Sequence, residues 1–349
     1  MGSYLGEQSP ETKFFFDLTP EKILSSVEDL GFRCTGRVTQ LNSMENRVFE
    51  VEIELPRGEE AKTPSDRFKV VKFYRPGRWS KEQILEEHEF LFDLERNEIP
   101  ALIPVKGKED QSLLKVHGVD IFYSVFPKIG GRNPDELTDD QAQWIGRLLA
   151  RVHGVGASKK AAHRIKLTPD VYGIQNLKYL VDSKLIPSEV QDPYKNVVES
   201  ICAFSTPLFA RSKLQRIHGD CHFGNVLWGS TGAFLVDFDD MVEGPCVQDL
   251  WLMMPGRDSY ARQKLEVMLS GYDQIRPFDR SSIELIEPLR ALRFIHFSAW
   301  IGRRWNDPAF QRVFQHFGSS GYWKEQLSDL QDQLRCIQRG GFGLSSEND

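Results

Sequence analysis

Between His218 and Trp251 the chain reads H-G-D-C-H-F-G-N-V-L-W, then F-L-V-D-F-D-D, then G-P-C-V-Q-D-L-W. An acid (Asp220), a carboxamide (Asn225) and a second acid (Asp237) follow one another, each beside a short apolar run. Val226–Trp228 and Phe234–Val236, joined across Gly229–Gly232, predict a β-hairpin. Such a hairpin puts Asn225 at the entry of its first strand and Asp237 at the exit of its second, so that both point into one cleft. Asp220, five positions before Asn225, then lies on a loop that curls toward the same point. From composition alone, a chance H-x-D-x-x-x-x-N in a chain of this length is expected on the order of once in a hundred chains.

These residue types in this order are the layout of a phosphoryl-transfer site. Phosphoryl transfer leaves little covalent work to the protein; catalysis is positioning and neutralisation of phosphate charge. Asp220 suits the acceptor of the proton from the incoming hydroxyl. Asn225 and Asp237 suit Mg²⁺, a hard cation that takes one or two carboxylates and completes its shell with phosphates and water. The competing reading is a polar turn between two core strands, with Asp220 and Asn225 as turn formers.

Upstream, Pro20–Leu30 predicts a short helix with Thr19 at its N-cap and Gly31 closing it. Gly36–Leu55 reads as two antiparallel strands joined by L-N-S-M-E-N-R. In a nucleotide-binding lobe that turn would cover the phosphates. It has no glycine-rich pattern, so Ser43 and the backbone N–H groups around Met44 would have to make those contacts; a plain surface turn is the alternative. In R-F-K-V-V-K-F-Y, Lys72 sits inside an apolar strand and needs a partner charge. The following helix, Ser80–Leu94, with Ile84, Leu85, Leu91 and Leu94 as its apolar face, offers Glu86, Glu87 and Glu89. Leu102–Val105, Leu113–Val116 and Ile121–Phe126 read as further short strands; were the chain a two-lobed kinase, its hinge would fall here and backbone groups near Val125–Pro127 would meet the adenine edge. Residues 1–13 are polar and expected to be loose.

From Thr138 the pattern turns helical: Asp139–Val152, Leu177–Leu185, Pro193–Leu208 and an amphipathic stretch in I-E-P-L-R-A-L-R-F-I-H-F-S-A-W-I-G-R-R-W. Residues 154–170 read as a connecting loop. Asp249 is expected to cap a helix and to brace the catalytic loop. Asp239 and Asp240 read as a continuation of the metal loop, or as a solvated turn. Arg290, Arg293, Arg303 and Arg304 could line an anionic substrate pocket, although surface or ion-pair roles are the commoner use.

Composition narrows the setting. With 349 residues, one large domain or two lobes are expected. A net charge of -6 leaves no electrostatic footprint for nucleic acid or an anionic membrane. No apolar run reaches transmembrane length, and the N-terminus lacks a basic-then-apolar export signal. Five scattered cysteines without C-x-x-C suit reduced thiols in a cytoplasm. Cys221, in the catalytic loop, reads as a small buried filler rather than a redox sensor.

H-G-D-x-x-x-x-N followed by V-D-F-D resembles the aminoglycoside phosphotransferase and choline kinase superfamily, a branch of the protein-kinase-like fold. Within it, N-S-M-E-N-R-V-F, V-V-K-F-Y-R-P-G-R-W-S, Q-I-L-E-E-H, F-P-K-I-G-G-R, G-P-C-V-Q-D-L-W and I-E-P-L-R-A-L-R are similar to the bacterial stress-response kinases, over roughly residues 18–330. The resemblance implies an α+β, two-lobed fold, with a small β-rich nucleotide-binding lobe over 1–126 and a larger, mainly helical lobe over 127–349. It implies a monomeric, cytoplasmic, autophosphorylating Ser/Thr protein kinase using ATP and Mg²⁺. Carried over by position, Asp220 is the proton acceptor, Asn225 and Asp237 are the metal ligands, Ser43 and Lys72 contact ATP, and Glu87 best matches the partner of Lys72. A small-alcohol kinase of the aminoglycoside, choline or homoserine type is the alternative, and a nucleotide-binding pseudoenzyme is a third reading. Unlike protein kinases, the chain has Gly219, not arginine, before the catalytic acid, and almost no room for an activation loop between Asp237 and Gly244-Pro245. Regulation by activation-loop phosphorylation is therefore not expected.

Overall fold

Thr19 starts the first helix, α1 (Pro20–Glu28), by accepting a hydrogen bond from Lys22 N, with Pro20 at the first helical position as the sequence requires. Strands β1 (Arg33–Gln40), β2 (Arg47–Glu54) and β3 (Phe68–Phe73) follow, then α2 (Lys81–Arg96), β4 (Leu114–Lys115) and β5 (Phe122–Pro127). Next come α3 (Asp139–Gly156), a π-helical turn (Pro169–Ile174), α4 (Gln175–Asp182), α5 (Ser188–Arg211) and β6 (Gln215–Ile217). Strands β7 (Val226–Gly229), β8 (Gly232–Leu235) and β9 (Val242–Gly244) lead to α6 (Val247–Met253), α7 (Ser259–Asp273), α8 (Ile286–Arg303), α9 (Pro308–Val313) and α10 (Ser320–Gln338). This computed structural model describes Phe15, residues 17–230 and residues 232–340; the expectation for residues 1–13 lies outside them.

The chain divides into two compact units. The first comprises residues 1–135 with 223–239, the second 136–222 with 240–349. The first holds an antiparallel five-stranded sheet of order β1-β2-β3-β5-β4. Lys72 lies on its central strand, opposite Val48 of β2 and Ser124 of β5. One sheet face packs Val51, Ile53, Val71, Phe73, Tyr123 and Val125 against Ile23 and Val27 of α1. That burial outweighs the poor intrinsic stability of a helix only two and a half turns long.

The sequence-based lobe boundary lies at 126/127, whereas this unit runs to Asp135 and recruits the β7–β8 hairpin. Backbone bonds account for the difference. Arg132 and Trp228 exchange N–H···O bonds of 3.1 and 2.8 Å, and Leu102 N donates to Leu235 O at 3.1 Å. Those bonds also explain why the expected strand over 102–105 does not form. Pro104 has no N–H to donate, and the neighbouring donors go outward, Leu102 N to Leu235 O and Val105 N to Val125 O. Leu85, expected on the apolar face of α2, is instead 38% exposed.

In the second unit α3 and α7 cross where Gly146 faces the Met268 carbonyl and Gly271 faces that of Gln143. A Cβ on either glycine would stand 1.9 or 2.2 Å from the facing oxygen. The expected helix over 193–208 starts earlier, at Ser188, and runs through Pro193. Helix α8 is not amphipathic along its first half: Ile286 through Leu292 are all buried, including Glu287 and Arg290. It is a core helix, and its buried charges are paired. Glu287 accepts from Arg257 at 3.0 and 2.7 Å, and Arg290 lies 3.4 Å from it.

Candidate active site

The first unit gathers charge around Lys72, which is only 7% exposed. Its Nζ lies 2.9 Å from Asp237 Oδ1, 3.0 Å from Asp239 Oδ1 and 4.0 Å from Glu87 Oε1. Burial pushes the ammonium's pKa down, but Asp237, Asp239 and Glu87 outweigh it and hold the group well above the ordinary lysine range. Of the three candidates Glu86, Glu87 and Glu89, Glu87 is the one placed against the lysine, on the buried face of a helix whose start is fixed by a Ser80–Gln83 capping box.

Asp239 is 2% exposed, so it is neither a solvated turn residue nor an exposed extension of the metal loop. Its Oδ2 accepts from Asn46 Nδ2 at 3.2 Å and pairs with Arg78. Asn46 in turn accepts the backbone N–H of Arg75 at 3.0 Å, and Arg75 donates to the carbonyls of Glu45 and Met44. The β1–β2 connection is therefore held by buried side chains rather than shaped by glycines. Ser43 sits in that connection, its Oγ accepting from Asn46 N at 3.3 Å. Three cations (Lys72, Arg75, Arg78) meet four carboxylates (Glu45, Glu87, Asp237, Asp239) in one network.

The expected β7–β8 hairpin forms, with Val226 opposite Leu235 and Trp228 opposite Ala233; its second strand begins earlier than expected, at Gly232, and ends at Leu235. Val236 N donates to Asn225 O at 3.0 Å, so Asn225 and the segment leading into Asp237 lie side by side at one end of it. Asn133, which sequence reasoning passed over, donates its Nδ2 to the carbonyls of Phe223, Gly224 and Val226 at 2.9–3.1 Å and fixes the turn that carries Asn225. Asp237 takes a left-handed φ of 58°, tolerated by a short polar side chain, and its carboxylate is 54% exposed. One exposed carboxylate and one carboxamide are a fitting donor set for Mg²⁺. Among the described residues no three His, Cys, Asp or Glu side chains form a metal cage.

The second unit carries the loop that the sequence marks as the candidate catalytic loop. It leaves β6 at Ile217 and is clamped by Asp249, whose two oxygens accept the backbone N–H groups of His218 (2.9 Å) and Gly219 (2.8 Å). Asp249 is fully buried on α6, inside the helix rather than at its cap, so of its two expected roles the brace is the one it fills. His153 donates to it from α3 at 3.0 Å, and Gln248 Nε2 holds the Gly219 carbonyl at 2.9 Å. Burial pushes His153 down, but Cys246, Tyr272 and Asp249 outweigh it and raise it well above the usual histidine range. Cys221 is fully buried and its thiol is pushed far up by burial, as a filler should be.

Asp220 lies 3.4 Å from His222 Nε2 and 2.9 Å from Arg293 Nη1 on α8. Burial acts to raise its pKa, yet the His222 hydrogen bond and the charges of Arg293 and the neighbouring histidines hold it well below the usual carboxylate range. Arg290, Arg303 and Arg304 are engaged elsewhere: Arg290 with Glu287, Arg303 with Asn176 Oδ1 at 2.8 Å, and Arg304 with the Trp300 carbonyl.

Comparison with known proteins extends this picture. The description of the phosphotransferase enzyme family (APH) matches residues 37–285. Stress response kinase A of Escherichia coli strain K12 is 38% identical over 332 residues, covering 95% of this chain and 97% of that protein. Serine/threonine protein kinase RdoA of Salmonella typhimurium is 36% identical over the same span. Among solved structures, amicoumacin kinase hAmiN in complex with AMP-PNP, Ca²⁺ and Ami superposes with a TM-score of 0.68 at 17% identity, covering 93% of this chain and 95% of that one. Choline kinase LicA of Streptococcus pneumoniae follows with a TM-score of 0.56 at 16% identity, covering 90% and 98%. The fold is α+β and protein-kinase-like, with an antiparallel-sheet lobe and a helical lobe.

Proposed function

As this chain belongs to the phosphotransferase enzyme family, we propose that it is a bacterial, cytoplasmic stress-response kinase. It moves the γ-phosphoryl group of ATP, with Mg²⁺, to a Ser or Thr hydroxyl of protein, itself included, and acts as a monomer. The observation that carries this reading is the near full-length likeness to stress response kinase A, together with an ionised Asp220 on a braced loop.

Each residue has a role. Lys72, kept charged by its carboxylates and oriented by Glu87, meets the nucleotide phosphates. Ser43 and the backbone N–H groups beside it, in a connection already fixed by Arg75 and Asn46, lie over them. Asn225 and Asp237 would hold Mg²⁺, which when bound would neutralise charge on the phosphates. Asp220 orients the acceptor hydroxyl and takes its proton; its depressed pKa keeps it ionised at neutral pH.

The solved neighbours that act on amicoumacin and choline support a second reading, a small-alcohol kinase. Incubation of the purified chain with γ-labelled ATP, Mg²⁺ and a bacterial lysate separates the two. Label in protein bands, lost in Asp220→Ala while ATP binding persists, is the expected result. Label confined to small molecules establishes the second reading, and full autophosphorylation by Asp220→Ala refutes the mechanism.

A further inference from the structure

The guanidinium of Arg293 lies against the group that must receive the acceptor's proton, at 2.9 Å from Asp220 Oδ1. A carboxylate held this closely is a weaker base than a free one, so a plain structural ion pair here works against catalysis. Arg293 is also unlike its neighbour one turn back. Arg290 is consumed by the fold: it pairs with Glu287, donates to the Pro255 carbonyl at 2.6 Å and stacks over Trp251. The Arg293 side chain is 43% exposed, against 23% for Asp220, so part of its five-donor fork faces water and is open to an incoming group. His222 and His218, on its own loop, are further basic neighbours of Asp220.

We propose that the hydroxyl phosphorylated by this chain is flanked by an acidic side chain, and that Arg293 reads that acid. This deepens the kinase reading above and rests on it. As the flanking carboxylate engages the outer edge of the guanidinium, it takes over part of the charge that Asp220 neutralises in the free protein, and the base recovers strength as the acceptor docks. Reach sets the position. An anion on the same guanidinium lies within about 8 Å of Asp220, which at 3.8 Å per residue is one or two residues from the acceptor. A cationic flank would meet Arg293 and be repelled. The fork also favours a carboxylate or a phosphate over a neutral amide, because only an anion accepts two charge-assisted bonds side by side.

The test uses the full-length chain with Mg²⁺, γ-labelled ATP and three serine heptapeptides: alanine flanks, aspartate at both neighbours of the serine, and lysine at both neighbours. The aspartate peptide is expected to exceed the alanine peptide by about fivefold or more in kcat/KM, the worth of a partly exposed charge pair, and the lysine peptide to fall below both. In Arg293→Gln the aspartate-to-alanine ratio should collapse to about one, with the loss carried by the peptide's KM; Arg293→Lys should keep part of it. A merely structural arginine would lower all three peptides alike and leave the ratio intact. Equal use of the peptides by the unsubstituted chain, or a preference that survives in Arg293→Gln, overturns this inference while leaving the kinase reading standing. Label that enters only small alcohols such as choline or L-homoserine overturns both.

Discussion

Gly219 is the residue whose replacement tests the catalytic loop most sharply. Its φ is +87°, and a Cβ built on it would lie 2.2 Å from the Asp240 carbonyl oxygen and 3.3 Å from Val242 Cγ2. Gly219→Ala therefore meets two costs. The left-handed backbone costs a non-glycine residue about 1–2 kcal/mol. The methyl group also stands some 0.8 Å inside the 3.0 Å floor for such a contact, against backbone rather than a mobile side-chain tip. Relieving it by shifting packed segments costs about 1–3 kcal/mol more. The sum, about 2–5 kcal/mol, should lower the melting temperature by about 5–15 °C for a unit of this size. The relief has a direction. Asp249 and Gln248 hold the other side of Gly219, at N and O respectively, so the loop yields away from Asp240 and carries Asp220 with it. A displacement near 1 Å costs on the order of a hundredfold in turnover, whereas Lys72, Glu87 and Asp237, the groups proposed to face ATP, belong to the other unit. The expected result is a kcat about a hundredfold lower, with KM for ATP within about twofold, measured by labelled-phosphate transfer beside a thermal melt. A Gly219→Ala protein with unchanged melting temperature and kcat would refute the claim that the left-handed turn and the Asp240 approach fix this loop.

Two further predictions concern buried charge. Asp239→Asn leaves Lys72 and Arg78 with one carboxylate fewer in a nearly dry site, and should destabilise the nucleotide-free protein by about 3–5 kcal/mol in urea titration; a change below about 1 kcal/mol would remove Asp239 from the network. Glu287→Gln should cost about 2–3 kcal/mol at pH 7, because burial alone would raise the Glu287 pKa, yet the hydrogen bonds from Arg257 and Gln333 and the charge of Arg290 lower it overall. A depressed folded-state pKa gives stability that is present above the unfolded value, near 4.5, and is lost as pH falls through the folded value. The gap between the two proteins should therefore be full at pH 6–7 and shrink below pH 4.5, and a gap that widens on acidification would contradict the assignment.

The elements that proved legible were those whose cause is local. Thr19-Pro20, Ser80 with Gln83, and the V-L-W and F-L-V runs around a glycine turn each carry their structural reason within a few residues, and helix and hairpin form there. A lysine inside an apolar strand demanded partners, and the structure supplies Glu87 together with two aspartates. What stayed hidden depends on long-range partners. Nothing near Asn133 signals that its amide will gather carbonyls 90 residues later. Nothing near Asp239 signals Asn46 and Arg78. The strand expected over 102–105 failed because its donors are drawn to strands elsewhere in the same unit, and backbone demand leaves no mark on side-chain periodicity.

The connection between β1 and β2 shows how far this distinction reaches. A glycine-rich loop lets backbone N–H groups approach phosphates because nothing stands in the way, and its order comes from the ligand. In L-N-S-M-E-N-R the order comes from within the fold, because Arg75 and Asn46 join the loop to the segment after β3 and to Asp239. A preset loop gives up less conformational freedom on binding, since the ordering cost is met within the fold. It also links loop geometry to the Asp239 carboxylate, and through Lys72 to Asp237, the proposed metal ligand. The missing glycines mark a loop whose shape depends on buried charge, in which a single neutral substitution at Asp239 reaches both the β1–β2 turn and the lysine that faces Asp237.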